Sequence, residues 1–255
     1  MTQPDGELGS SERQTLRLEV IIMLAVTFGL SAVSAMLELA DAVLSGLSSR
    51  IVALNPMRSK YDLINLGLNL TSIVQLLAWG ALGAYLLRRS GFSFDRIGLT
   101  PARWRADVLG GIGLAAVIGL PGLGLYVVAR MLKLAAAVEP SALNDTWWRV
   151  PVLVLAAFAN AWAEEVIVVA YLMTRLRQLG MSSAGALAWS SVLRGAYHLY
   201  QGFGAGLGNL AMGLVFGYVW QRTGRLWPLV IAHGIIDTVA FVGYALAARH
   251  LGWLP

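Results

Sequence analysis

The chain has 255 residues, of which 57% are apolar and only 13% charged, with a net charge of +5. So few charged side chains cannot cover a soluble globule of this length, so lipid is the expected solvent for most of the chain. The positive charge is mainly Arg in the connections between apolar runs, without a basic face interleaved with aromatics, which disfavours nucleic acid as a partner. Cysteine is absent, which excludes disulfides, thiolate metal ligands and a cysteine nucleophile.

Residues 1–17 form a polar N-terminal segment carrying Asp5, Glu7, Glu12, Arg13 and Arg17. The apolar run behind it is longer than a signal-peptide core and reads as an uncleaved first span. A bilayer core takes about 20 residues of helix at ~1.5 Å rise each. Seven runs meet or approach that length: Leu18 to Leu44, Leu63 to Leu87, Val108 to Leu132, Val150 to Thr174, Ser182 to Tyr200, Phe203 to Gln221 and Trp227 to Ala247. The expected fold is therefore all-α, a polytopic transmembrane helical bundle of about seven spans, eight being possible. Residues 18–255 are read as one transmembrane domain, without long repeats or low-complexity segments.

Of the nineteen Lys and Arg residues, eleven fall on the side of the N-terminus, seven, including Arg58 and Arg149, on the other, and Arg194 lies within a span. The positive-inside rule then puts the N-terminus in the cytoplasm. The expected location is the plasma membrane of a bacterial cell. Between the second and third spans, Thr100 and Pro101 resemble an N-cap and first turn, predicting a short surface helix through Arg103, Trp104 and Arg105. Around the sixth span Gly202/Gly206, Gly204/Gly208 and Gly213/Gly217 repeat at a spacing of four, a pattern read as close helix packing. Trp147, Trp148, Trp227 and Tyr244 fit an interfacial aromatic belt, and Glu38 and Asp41 an interfacial position at the end of the first span.

Ionisable groups inside a span are costly and need a partner or a purpose. The fourth span holds Glu164 and Glu165, which point about 100° apart on a helix and so cannot serve the same partner. The fifth holds Arg194 and His198, and the seventh His233 and Asp237, each pair four residues apart and on one face. By depth, Glu164, His233 and Asp237 fall near mid-membrane, and His198 roughly 10 Å outward at ~1.5 Å per residue, a gap that helix tilt or a shifted span start would close. These catalytic candidates all lie within residues 150–247.

These residues resemble the CAAX prenyl protease and bacteriocin-processing family, also called CPBP or abortive-infection intramembrane proteases. The family motifs are a Glu-Glu pair followed after three residues by Arg, a Phe four residues before a His, and a His four residues before Asn or Asp. Glu164-Glu165 matches the first, His198 the second and His233 with Asp237 the third, in the family's order and on three separate spans. The likeness covers the last third to half of the chain. Two positions depart from it: Val169 stands where the family has Arg, and Arg194 where it has Phe. One cation lost and one gained suggest a swap in which Arg194 reaches Glu165 from the neighbouring helix, making these two a structural pair.

The resemblance implies an intramembrane endopeptidase acting on a membrane-associated peptide or protein, through a glutamate-activated water and without a covalent intermediate. Glu164 with His198 would supply the base, and His233 with Asp237 would orient and stabilise the tetrahedral intermediate. The same four residues, Glu164, His198, His233 and Asp237, also form a possible zinc set. The metal-free reading is favoured because they come from three helices without a His-Glu-x-x-His pair, while Asp237 in place of Asn keeps the metal open. Asn160, Tyr171 and Tyr197 lie near the motifs and are read mainly as packing. A proton- or cation-coupled transporter and a catalytically silent binding or immunity protein are the alternatives. Nothing in the sequence reads a prenyl chain.

Overall fold

A computed structural model describes residues 9–139 and 141–243. Asp5, Glu7, Tyr244, Arg249 and the end of the seventh expected span lie outside the described residues. Each of the seven apolar runs is helical, but the first is broken. Helix α1 (Ser10–Val26) and helix α2 (Phe28–Ser45) part at Thr27, whose φ of −118° and ψ of −111° leave the helical region. Thr27 Oγ1 donates back to Met23 O at 2.7 Å, and a side chain inserted into the backbone ladder is an ordinary cause of a break. The polar segment is itself helical from Ser10 onward.

Helix α3 (Asp62–Arg89) and helix α4 (Trp104–Met131) follow the expected second and third spans. The expected separate surface helix is not formed. Pro101–Arg103 make a tight 3₁₀ turn that runs straight into α4, so these residues open the span. Thr100 Oγ1 makes no cap bond and donates to Asp95 Oδ1 at 3.1 Å instead. Nearby, Arg225 grips Asp107 with two donors, and these bonds push the guanidinium pKa above its ordinary value.

The fourth span is a rod, Arg149–Gln178, made of helix α5 (Arg149–Glu164), a π-helix over Glu165–Tyr171 and helix α6 (Leu172–Gln178). Helix α7 (Ser183–Tyr197), helix α8 (Phe203–Thr223) and helix α9 (Trp227–Thr238), extended by a π-turn over Val239–Gly243, complete the bundle. Five helical rods are long and apolar enough to cross a membrane: Phe28–Ser45, Asp62–Arg89, Pro101–Met131, Arg149–Gln178 and Phe203–Thr223. The two helices that carry the histidines, α7 and α9, are shorter.

The Arg149–Gln178 rod is the centre of the molecule: 67% of its apolar window is buried, against 11–39% for the other four. Helices α3 and α9 pack on α5, α2 packs on α7, and α7 lies along α8. The α7–α8 seam depends on the glycine repeat. A Cβ on Gly217 would lie 2.5 Å from Leu187 Cδ1, and one on Gly213 2.9 Å from Ser191 Cα. Trp147 is exposed, but Trp148 is buried against Ile73 and Leu153 and belongs to the core, not to the expected belt. Trp227 stacks on Trp162 at 6.0 Å. Two short strands, β1 (Ile51–Ala53) and β2 (Ala137–Glu139), pair in parallel with Ile51 opposite Ala137, joining the connections at one end of the bundle.

Candidate active site

Glu164 ends the α-helical part of the central rod and Glu165 opens its π-helical part. The run Val166, Ile167, Val168 and Val169 crowds successive turns with β-branched side chains, and π-turns inside helices concentrate at functional sites. Ser190 of α7 donates to Val168 O at 2.6 Å, satisfying a carbonyl within the widened segment. Residues Val166 to Tyr171 are wholly buried, so the two glutamates are held by a backbone with no solvent on any side.

The glutamates have separate partners, as their angular separation requires. Glu164 Oε1 accepts from Asn160 Nδ2 at 3.0 Å, one turn back on α5, and Oε2 accepts from Tyr197 Oη at 2.5 Å. Glu165 Oε1 accepts from Arg194 Nη2 at 2.7 Å and lies 2.7 Å from His233 Nδ1. The contact expected from the cation lost at position 169 and gained at 194 is therefore made. Arg194 also reaches towards Glu164, with Nη1 at 3.7 Å from Oε2, and stacks over Phe216.

On α9, His233 Nε2 stands 3.5 Å from Asp237 Oδ2, a looser approach than its bond to Glu165. The link from Asp237 to Glu164 runs through Asn160, whose Nδ2 donates to Asp237 Oδ2 at 3.0 Å as well as to Glu164. His198 bonds its own helix: Nδ1 lies 2.9 Å from Arg194 O. A carbonyl oxygen only accepts, so Nδ1 carries the proton and Nε2 is left as the free nitrogen. The His198 ring lies 4.7 Å from that of Tyr197. Tyr197 is in turn stacked on Phe28 of α2 at 5.0 Å.

Among the described residues no group of three or more His, Asp or Glu side chains is arranged to hold a metal ion. The four candidate ligands divide between Glu165, Asn160, Tyr197 and a backbone carbonyl instead of facing one point, so they do not fit a metal centre in this arrangement.

Asn160 and Tyr197, read from sequence mainly as packing, are hydrogen-bond donors to Glu164. The four-residue spacing of Asn160 and Glu164 was a usable signal for the first; only the tertiary fold reveals the second. Tyr171 belongs elsewhere. It donates to Glu19 Oε1 at 2.9 Å, and Arg175 lies 2.7 Å from the same carboxylate while bonding Leu86 O of α3 and Oγ of Ser90, the residue that caps α3. Arg175, placed by the sequence among the cytoplasmic basic residues, is only 1% exposed. Glu19, a carboxylate just inside the first expected span, was the overlooked sign that it needed a partner. Glu38 has no part in the cluster's contacts, and Asp41 pairs with Arg50 at 3.1 Å near the surface.

Residues 146–239 match the family model for Rce1-like proteins, described as type II CAAX prenyl endopeptidases. The matched stretch is more than a third of the chain and contains every residue of the cluster from Asn160 to Asp237. No curated protein and no solved structure matches the chain. The long apolar helices and this match support an integral membrane protein that is similar, over residues 146–239, to CAAX-type prenyl endopeptidases.

Proposed function

We propose, from the premise that residues 146–239 belong to the Rce1-like family of type II CAAX prenyl endopeptidases, that this chain hydrolyses a peptide bond of a membrane-associated substrate with a water activated by Glu164. The observation that carries this reading is the state of Glu164. It is 2% exposed, in an apolar rod, with each oxygen held by one donor. A carboxylate oxygen has two acceptor positions, so one on each remains for a water.

In this reading the water gives its proton to Glu164 as its oxygen attacks the scissile carbonyl carbon. His198, its Nδ1 fixed on the Arg194 carbonyl, directs Nε2 to the same water. His233, held between Glu165 and Asp237, orients the tetrahedral intermediate, whose negative oxygen is stabilised by fixed donors in a site of low dielectric. The carbon–nitrogen bond then breaks, and the departing amine takes the proton back from Glu164. Arg194 and Glu165 are positioning residues, and Asn160 fixes the distance between the two carboxylates that flank the reaction. The N-terminus is assigned to the cytoplasm and the cell membrane is taken as bacterial.

The test is cleavage of membrane-anchored reporter peptides by the purified full chain in detergent. Hydrolysis is expected, with complete loss in Glu164→Ala and His198→Ala and a strong fall in His233→Ala. Unchanged hydrolysis in all three variants would remove the catalytic assignment, and an inert wild type with peptide binding intact would make the chain a silent member. Metal analysis of the same preparation, with and without chelator, is expected to give activity independent of bound metal; activity lost to chelator and restored by zinc would overturn the metal-free scheme.

A further inference from the structure

The π-helix over Glu165–Tyr171 is tied down along its whole length. Its first residue, Glu165, is held by Arg194 of α7 and His233 of α9, and the carbonyl of Val168 by Ser190 of α7. Its last residue is held by a different helix. Tyr171 donates to Glu19 Oε1 of α1, and the same oxygen takes Arg175, whose guanidinium lies over the Tyr171 ring at 5.3 Å. Tyr171 and Arg175 are buried while the Glu19 side chain is 28% exposed, so the carboxylate is supplied from the periphery of the bundle. A second contact joins the same two elements. At Gly83 of α3 a Cβ would lie 3.4 Å from both Val166 Cγ1 and Ile167 Cγ1 and 3.6 Å from Met23 Cε, so α1 and the π-helix converge on one bare patch of α3. Because the helix breaks at Thr27, α1 is oriented by these contacts and not as a continuation of α2.

A ladder of i→i+5 bonds turns the chain less per residue than an α-helical one, so a π-segment that reverts to α-helix rotates one of its ends against the other. Glu164 and Glu165 stand at one end of this segment and Tyr171 at the other. With Tyr171 released, that rotation falls on the glutamates; with Tyr171 fixed, they keep their aim. The two bonds to Glu19 also differ in kind. The contact with Arg175 neutralises a buried charge and so serves stability, whereas the Tyr171 bond adds nothing to charge balance and fixes a direction.

We propose that Glu19 and Tyr171 are positioning residues for hydrolysis: by clamping the far end of the π-helix, α1 sets the direction in which Glu164 faces its water. The inference rests on the protease reading for the reaction it serves. It adds that α1, which lies outside the residues matched to the family model, takes part in setting the site.

The experiment measures kcat and KM on a membrane-anchored reporter peptide, the unfolding temperature, and amide hydrogen exchange over Glu165–Tyr171, all on the full chain in detergent. Tyr171→Phe should lower kcat about tenfold with KM and unfolding temperature little changed, because a small misplacement of a reacting group is felt mainly in the chemical step. Glu19→Leu should lose kcat to the same extent and also unfold at a lower temperature, and the double variant should lose no more kcat than Glu19→Leu alone. Glu19→Gln separates the clamp from simple stability. It too leaves Arg175 without a counter-charge and should unfold as early as Glu19→Leu, but its amide oxygen still accepts from Tyr171, so most of kcat should return. Exchange over Glu165–Tyr171 should quicken in Tyr171→Phe, with α8 unchanged. Full kcat in Tyr171→Phe, a Glu19→Gln variant as slow as Glu19→Leu, or unaltered exchange overturns the clamp. Hydrolysis that is indifferent to Tyr171 removes the clamp and leaves the protease, whereas a wild type that cleaves nothing but shows the exchange change removes the protease and leaves a clamp on the π-helix.

Discussion

Glu165 is wholly buried, and one of its oxygens takes both Arg194 and His233 while the other has no hydrogen-bond partner among the described residues. A buried ion pair is weak evidence of net stabilisation, but removing one member strands the other. Glu165→Gln and Arg194→Leu should each destabilise the fold by about 3–5 kcal/mol, and the double variant by clearly less than the sum. Thermal unfolding in detergent measures this; simple additivity would count against the pairing. Tyr197→Phe is milder, removing a donor to Glu164 while keeping the ring stacked on Phe28, and should lower kcat about tenfold with folding intact. Much at this scale was legible in the sequence. The motif departures at Val169 and Arg194 foretold a contact between helices, because a buried charge must find its opposite. Tyr197 was not legible, since an aromatic inside a span has packing as its ordinary use and its donor role exists only once α7 meets α5.

Among the elements, hydropathy located the apolar spans but neither the start of the first helix at Ser10 nor the internal irregularities. The break at Thr27 and the π-helix over Glu165–Tyr171 leave apolar content unchanged, so a pattern of hydrophobic residues cannot register them. The three-residue strands are too short to alternate visibly. The glycine repeat was readable as close approach, and the structure says which glycines bear it. Gly217→Leu should destabilise by about 1–3 kcal/mol and loosen α7 from α8, because the new side chain meets Leu187 and Met173. Gly122→Ala on α4, where no atom of the described residues outside its own helix backbone would lie within 4 Å of the new Cβ, should change thermal stability little. Equal effects from the two would show that the seam is not the reason for the repeat.

For the whole molecule, the proposed orientation rests on an Arg asymmetry between connections, and the absence of cysteine from the sequence makes it directly measurable. A single introduced thiol is a unique label. Lys60→Cys should react with a membrane-impermeant maleimide on intact cells, and Ser93→Cys, in the connection between α3 and α4, only after permeabilisation; the reverse pattern inverts the topology. The bundle as a class was evident from composition, whereas the central position of one rod was not, because burial within protein and burial in lipid select the same apolar residues.

Helix α7, which positions Arg194 and ends at His198, has 15 residues, about 22 Å at ~1.5 Å each against a hydrocarbon layer of ~30 Å. Its outer face carries Trp189 and Val192, both substantially exposed. A bilayer meeting so short a wall must thin beside it, drawing headgroups and water towards the depth of His198. Bilayer thickness then sets access to the reaction: hydrolysis should run faster in dimyristoyl than in dierucoyl phosphatidylcholine vesicles, and the hydrolytic water would arrive through a dent in the membrane that the shortness of one helix creates.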